Sequence, residues 1–143
     1  MGYKRKARIV FLAGSDGSFA AMAAGFANAL GAKRMEGKAA AFSHAPLASA
    51  AIAAMNESGI SLATENFSAP EAKLLQWADL VVTLDAVAEK CCPPLPAHVQ
   101  KKHYPFETVE ESNIAAYRKV RDAIRERIEG MIGGMAMLEN NVR

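Results

Sequence analysis

Short continuous apolar runs alternate along this chain with segments in which apolar residues recur every three or four positions. Ala7–Ala13 (ARIVFLA) and Asp79–Leu84 (DLVVTL) are continuous runs, a pattern typical of strands buried on both faces of a sheet. The C-terminal third instead carries one apolar seam at helical spacing. Its members are Tyr117, Val120, Ile124, Ile128, Met131 and Met135. The pattern therefore predicts two central strands and a long last helix, which Gly133-Gly134 should fray.

Weaker signals predict the elements between these strands and the last helix. Ser18 is placed to cap a helix over Phe19–Leu30, a segment rich in Ala and Met. Strands that alternate with helices imply parallel pairing. We therefore predict one α/β domain over residues 1–143, with a four-stranded parallel sheet flanked by helices. The other predicted elements are strands at Lys38–Phe42 and Val99–Tyr104, helices from Pro46 to about Ser58 and from Ser68 to Gln76, and one helical turn at Ala86–Lys90.

Composition and charge narrow the class of protein. The 143 residues are 51% hydrophobic and 22% charged, which argues against intrinsic disorder. A net charge of +2 is too balanced to indicate nucleic acid or an anionic membrane as partner, and no apolar window approaches the length of a membrane span. Two cysteines exclude a disulfide framework and a four-thiolate zinc site. With no signal peptide predicted, we expect a cytoplasmic protein.

The loop after the first strand is the first place to look for a ligand, because ligands bind at the carboxyl ends of parallel strands. Backbone amides at a glycine-rich helix start can hold an anion, although a glycine turn also serves simply to make the bend. The loop has neither a Walker A motif nor a dinucleotide fingerprint, and neither of its serines has a recognisable histidine base. The candidate pocket comprises Gly14, Ser15, Asp16, Gly17, Ser18 and Phe19.

Several tracts, in this order and spacing, carry a resemblance to a known family. They are RIVFLAGSDGSFAAMAAGF, AFSHAP, WADLVVTL, CCPPLPAHV and HYPFE, followed by the long C-terminal helix. From Arg8 to Met131 the chain resembles the low-molecular-weight protein tyrosine phosphatase superfamily, and within it the thioredoxin-coupled arsenate reductases most. The resemblance implies the four-stranded parallel fold predicted above.

The resemblance also implies where the catalytic groups would stand. Family members carry Cys-x5-Arg on the first loop, in which the thiolate attacks phosphorus or arsenic and the arginine holds the oxyanion. The matching tracts place Ala13 at the nucleophile and Phe19 at the arginine. Asp16 stands where the family usually has asparagine. The family's acid falls on Thr108, with Glu107 one residue before it.

A redox pair of cysteines is a further family feature that this chain keeps in part. The resemblance places Asp85 at the first redox cysteine and Cys92 at the second, with Cys91 as an extra neighbour. Two adjacent thiols can form a strained disulfide or bind a thiophilic metal. They can equally be reduced cysteines packed beside the proline tract.

Three hypotheses for function follow. The first, which we favour from the sequence, is a non-catalytic binding or regulatory protein whose small ligand or protein partner the sequence does not identify. The second is a phosphatase or arsenate reductase with weak or altered activity, using Glu107, a loop serine or Cys92. The third is a thiol module. An active oxyanion site would need an outside cation, for which the candidates are Lys33, Arg34 and Arg118. No cofactor is predicted, and no pair among His44, His98 and His103 has metal-ligand spacing.

Overall fold

A computed structural model of the chain describes residues 5–14, 17–42, 46–62 and 69–141, with side chains described as far as residue 136. Ser15, Asp16, His44 and Ser68, which entered the predictions above, lie outside the described residues. Within the described residues, no helix has the length and apolar composition needed to cross a membrane.

Four parallel strands form the sheet, in the spatial order β2-β1-β3-β4. Residues 7–13 of β1 pair along their whole length with residues 35–41 of β2, and β3 pairs with both β1 and β4. The α/β fold class and the four-stranded parallel sheet predicted from the sequence are confirmed. The strands are β1 (Ala7–Ala13), β2 (Met35–Ala41), β3 (Leu80–Thr83) and β4 (Gln100–His103).

Within the part of the chain that the structure describes, five helices cover the two faces of this sheet unequally. The larger core joins one face of β1 to the three longer helices, and its largest members include Phe11, Phe26 and Tyr117. The smaller core lies on the other face, where Val10 and Leu12 meet the two short helices. The helices are α1 (Gly17–Leu30), α2 (Ser49–Glu57), α3 (Ala72–Trp77), α4 (Ala86–Cys91) and α5 (Ile114–Asn141).

Two predicted element starts are wrong. β2 begins at Met35 rather than Lys38, because each residue of β1 has a partner on β2 from Ala7↔Met35 onward. A helix cap at Ser18 was expected, but α1 already includes Gly17, so Ser18 lies inside the first turn. Its hydroxyl accepts a hydrogen bond from the Ala48 backbone N–H at 2.9 Å.

The ends of two other helices also differ from the predictions. α2 begins at Ser49 rather than Pro46, since Ala48 before it is extended. The prediction that Gly133-Gly134 would fray the last helix is wrong, because α5 continues to Asn141. Packing explains the continuation: Met131 and Met135 on this stretch lie against the larger core, which offsets the low helix propensity of glycine.

An ion pair fixes the start of β1. The Arg5 guanidinium donates to both carboxylate oxygens of Asp79 at 2.6 and 2.7 Å, and the Arg8 backbone N–H donates to the same carboxylate at 2.9 Å. The hydrogen bond from Arg5, followed by that from Arg8, holds the pKa of Asp79 below its usual range against an opposing effect of burial.

We predict that in Asp79→Asn the free energy of unfolding changes less between neutral and acidic pH than it does in the parent protein. Because the folded state lowers the pKa of Asp79, its contribution is present above about pH 4, the unfolded value, and is lost as pH falls through the folded value. The variant should unfold at lower urea than the parent near neutral pH, and the gap should close in acid. Urea melts at about pH 7 and about pH 3 test this; an unchanged gap would contradict it.

Candidate functional site

The carboxyl ends of β1 and β3 bring the candidate loop beside α4. β1 ends at Ala13, whose side chain is fully buried in the larger core. Gly14 follows and is also buried. Gly17 begins α1, which leads away from the sheet edge. The described part of the loop therefore offers backbone groups and a methyl group, and no nucleophilic side chain at position 13.

The Asp85 side chain supplies the acceptor for the first loop amide. Its carboxyl oxygens accept from the Gly14 backbone N–H at 2.9 and 3.1 Å. One of these oxygens also accepts from the Ala88 backbone N–H at 2.7 Å, which caps α4. The side chain is almost completely buried, at 4% exposure. The Gly14 amide, which would face an oxyanion in the arrangement implied by the resemblance, is thus already bonded within the protein.

Gly14 is held so closely against α4 that only glycine fits there. A Cβ atom on residue 14 would lie 2.7 Å from the Ala88 backbone nitrogen and would overlap the Val87 side chain. The Ala88 nitrogen belongs to the backbone of α4, so it cannot move aside as the end of a flexible side chain could. The close packing of α4 against residue 14 therefore requires glycine there. This requirement could not be predicted from the sequence.

Phe19 occupies the larger core in place of a cation. Its side chain is fully buried. The ring meets Phe106 edge-on with centroids 6.4 Å apart and Tyr117 edge-on at 6.3 Å, a geometry favoured by aromatic quadrupoles. Position 19, where the resemblance implies an arginine, thus joins the first loop to the HYPF segment and to α5 by apolar packing.

The three candidate cations lie elsewhere. Lys33 and Arg34 follow the far end of α1, whose 14 residues extend about 20 Å from the loop. The Arg118 guanidinium instead pairs with Glu57 of α2 at 2.7 Å, and its hydrogen bond holds the pKa of Glu57 below its usual range. None of the three has a described contact with Gly14 or Asp85.

The candidate acid residues stand on the surface. Glu107 and Thr108 are both exposed on the segment between β4 and α5, while Phe106 beside them packs against Phe19. No described contact directs the Glu107 carboxyl group toward the first loop. The position of the side chains does not favour either residue as a proton donor at the loop.

Cys91 and Cys92 are free thiols at the end of α4. Cys91 is exposed, whereas Cys92 is partly buried and its sulfur lies 3.5 Å from the Pro93 carbonyl oxygen. Burial raises the pKa of the Cys92 thiol, against a smaller lowering by the charge of Lys101. Among the described residues, no group of three or more His, Cys, Asp or Glu side chains is placed to hold a metal ion.

A polar cluster at the ends of β3 and β4 was missed by the sequence analysis. The Thr83 hydroxyl lies 2.7 Å from His103 Nδ1, and His103 Nε2 lies 3.5 Å from a Glu89 oxygen. Thr83 is fully buried. His103 therefore has a structural hydrogen bond to the neighbouring strand. This cluster could have been predicted only with the strand register in hand, because the register places Thr83 opposite His103 on adjacent strands.

We predict that Asp85→Ala costs about 2–4 kcal/mol of unfolding free energy, because it removes a helix cap and leaves two buried amides without acceptors. Asp85→Asn keeps an acceptor oxygen and should cost about half as much. Urea denaturation measures both. The exposed Lys90→Ala, on the same helix, is the matched control and should change stability by about 0.5 kcal/mol or less. A loss of that small size in Asp85→Ala would contradict the assignment.

Arsenate reductases are among the known proteins similar to this chain both in sequence and in structure. No protein-family profile matches the chain. An arsenate reductase of Bacillus cereus is 39% identical to it over 79 residues, which cover 55% of this chain and 59% of the relative. The chain thus matches about three-fifths of the length of this curated relative.

Solved structures share the fold over most of the chain. The arsenate reductase of Archaeoglobus fulgidus superposes with a TM-score of 0.73 at 22% identity, covering 87% of this chain and 98% of the other. A low-molecular-weight protein tyrosine phosphatase of T. tengcongensis gives 0.74 at 19% identity, covering 90% and 99%. The chain therefore has the fold of known low-molecular-weight protein tyrosine phosphatases and arsenate reductases, and over the 79 matched residues it is similar in sequence to arsenate reductases.

Proposed function

We propose that this chain is a binding or regulatory member of the superfamily, in which the first loop does not carry out oxyanion chemistry. The observation that carries the proposal is the bond from the Gly14 amide to the buried Asp85 carboxyl group. An incoming oxyanion would have to displace an acceptor that also caps α4.

The residues at the family positions support the same proposal. Ala13 has no group that attacks phosphorus or arsenic. Phe19 offers no positive charge to an oxyanion, and its ring is packed between Phe106 and Tyr117. In such a site, oxyanion affinity would have to come from amides and the dipole of α1, a contribution of about 1 kcal/mol near a surface.

An enzyme of the arsenate reductase or phosphatase family, with altered activity, is the second candidate. The comparisons taken by themselves favour it, because the curated relatives are named arsenate reductases and the similar structures include a phosphatase. Such an enzyme would have to work without a cysteine at position 13. Glu107, a loop serine and Cys92 would be its remaining reactive groups, and Glu107 and Cys92 stand on different segments.

The thiol-module hypothesis is weakened by the surroundings of Cys92. A reactive cysteine requires a lowered pKa, whereas burial raises the pKa of this thiol. Cys91 beside it is exposed, which leaves it open to oxidation without giving it activation.

We predict no catalysed reduction of arsenate with thioredoxin or dithiothreitol, and no hydrolysis of p-nitrophenyl phosphate above the background rate. Calorimetric titration should give dissociation constants for phosphate and arsenate of about 1 mM or weaker. Cys92→Ser and Glu107→Gln are the informative comparisons. Turnover by the parent protein that either substitution abolishes would establish the enzyme instead, and micromolar oxyanion binding would contradict the proposal for the loop.

We also predict that Cys92 alkylates more slowly than free cysteine. A raised pKa leaves less thiolate at a given pH, and thiolate is the form that reacts. Rates with iodoacetamide, followed by mass spectrometry on Cys91→Ser, isolate Cys92; Cys92→Ser provides the matched measurement for Cys91. The rate for Cys92 should rise with pH at a higher midpoint than that of free cysteine. Reaction faster than free cysteine would revive the thiol module.

A further inference from the structure

Among the described residues, no strand pairs with the outer side of β4. This strand pairs with β3 on one side and is the last strand in the order, and Gln100, Lys101 and Lys102 are exposed. The Gln100 N–H donates to the Asp79 carbonyl and the Tyr104 N–H to the Thr83 carbonyl. Since main-chain groups alternate in direction along a strand, those of Lys101 and His103 point away from β3. The edge therefore presents two N–H and two C=O groups to a further strand.

A groove lies between α5 and the face of the sheet, and it reaches β4. Gln100, Lys102 and Tyr104 line it on the strand side, and Gly130 and Gly134 are among its lining residues on the helix. A Cβ atom on either glycine would meet no other atom within 4 Å, so the helix leaves free space there. Met131 and Met135 contribute apolar surface. The groove can take the alternate side chains of a strand laid along β4.

The charges around the edge are mainly positive. Lys101 and Lys102 are neighbours on a strand and so point to opposite faces of the sheet. Neither forms an ion pair with the carboxylates of the described residues. The Arg127 guanidinium lies 4.5 Å from the centre of the Tyr104 ring and lines the groove. A ligand on this edge therefore meets cations on both faces.

Two carboxyl groups also line the groove and bear on the choice of partner. Asp79 is already paired with Arg5. Glu126 lies on α5 beside Arg127, so it offsets part of the positive charge on the helix side. Glu89 of α4 lies 3.5 Å from His103 Nε2 and adds negative charge at the His103 end of β4.

We propose that β4 binds an extended acidic segment of a partner protein as a fifth strand. Main-chain hydrogen bonds to Lys101 and His103 supply the pairing, and acidic side chains on the groove face meet Lys102 and Arg127. A second copy of this chain fits less well, because pairing β4 with β4 would set lysines opposite lysines, and like charges across strands are destabilising. The surface lies along the strand rather than at the first loop, so the inference stands apart from the proposed function.

The test measures binding of a fluorescein-labelled heptapeptide of alternating glutamate and valine to the full chain by anisotropy. A peptide with lysine in place of glutamate is the control ligand. The acidic peptide should bind at least about tenfold more tightly, and salt should weaken its binding. Equal binding of the two peptides, or binding of neither at about 1 mM protein, would overturn the proposal.

Two variants separate charge from strand pairing. Lys102→Glu should weaken binding of the acidic peptide about tenfold or more, while Lys33→Glu, an exposed lysine in the turn before the opposite edge strand, should leave it within about twofold. Lys101→Pro removes an outward N–H without removing a bond to β3 and should also weaken binding. Unchanged affinity in Lys102→Glu or in a folded Lys101→Pro would overturn the proposal.

If Lys101→Pro fails to fold, amide exchange in the unmodified chain gives the same information. Saturating acidic peptide should slow hydrogen exchange at the Lys101 and His103 amides, and should leave the amides of β2 unchanged. Slowing at β2 alone, or at neither strand, would contradict docking on β4. Arsenate reductase or phosphatase activity of the parent protein would overturn the proposed function. It would not affect the evidence for peptide binding on β4.

Discussion

The hydrogen bonds from the Gly14 amide to the Asp85 carboxyl group hold the first loop against α4. Because the same carboxyl group caps α4 through Ala88, one buried side chain connects the end of β1 to the element that follows β3. The close approach in turn requires glycine at position 14. The arrangement at the carboxyl end of the sheet therefore depends on an interaction within the protein, where the resemblance implies contact between loop and oxyanion.

Aromatic packing also holds the first loop against the rest of the protein. The Phe19 ring lies between Phe106 and Tyr117, so the first loop, the segment after β4 and α5 share one apolar contact. An arginine in this place would bring a charge into a fully buried position with no described carboxylate partner, at a cost of several kcal/mol. Asp85 thus satisfies the loop amide, and Phe19 fills the position where the resemblance implies an arginine.

The sequence predicted the sheet well because burial determines its pattern. The continuous apolar runs of β1 and β3 bury residues on both faces of the sheet, and the seam of α5 buries one face of the helix. Both patterns can be recognised in the order of residues alone. Element ends were less predictable. The start of β2 follows from its register with β1, and the continuation of α5 past Gly133 and Gly134 follows from packing against distant residues.

The residues at the positions implied by the resemblance could also be named from the sequence, but their contacts in the structure could not. Ala13 and Phe19 follow from matching the loop to the family. The role of Asp85 depends on a contact between residues 71 positions apart, and the Thr83–His103 bond depends on strand register. Such contacts arise from topology, which no local pattern encodes.

The central claim is that Asp85 keeps the Gly14 amide from binding an oxyanion. Its most direct test follows the Gly14 amide resonance in a ¹⁵N–¹H correlation spectrum while phosphate and then arsenate are added to about 10 mM. If Asp85 satisfies this amide, its resonance should not move in the parent protein beyond the change caused by chloride at equal ionic strength. A saturable shift of the Gly14 resonance with a micromolar midpoint would contradict the account, because it would mean that the oxyanion displaces Asp85 from the loop.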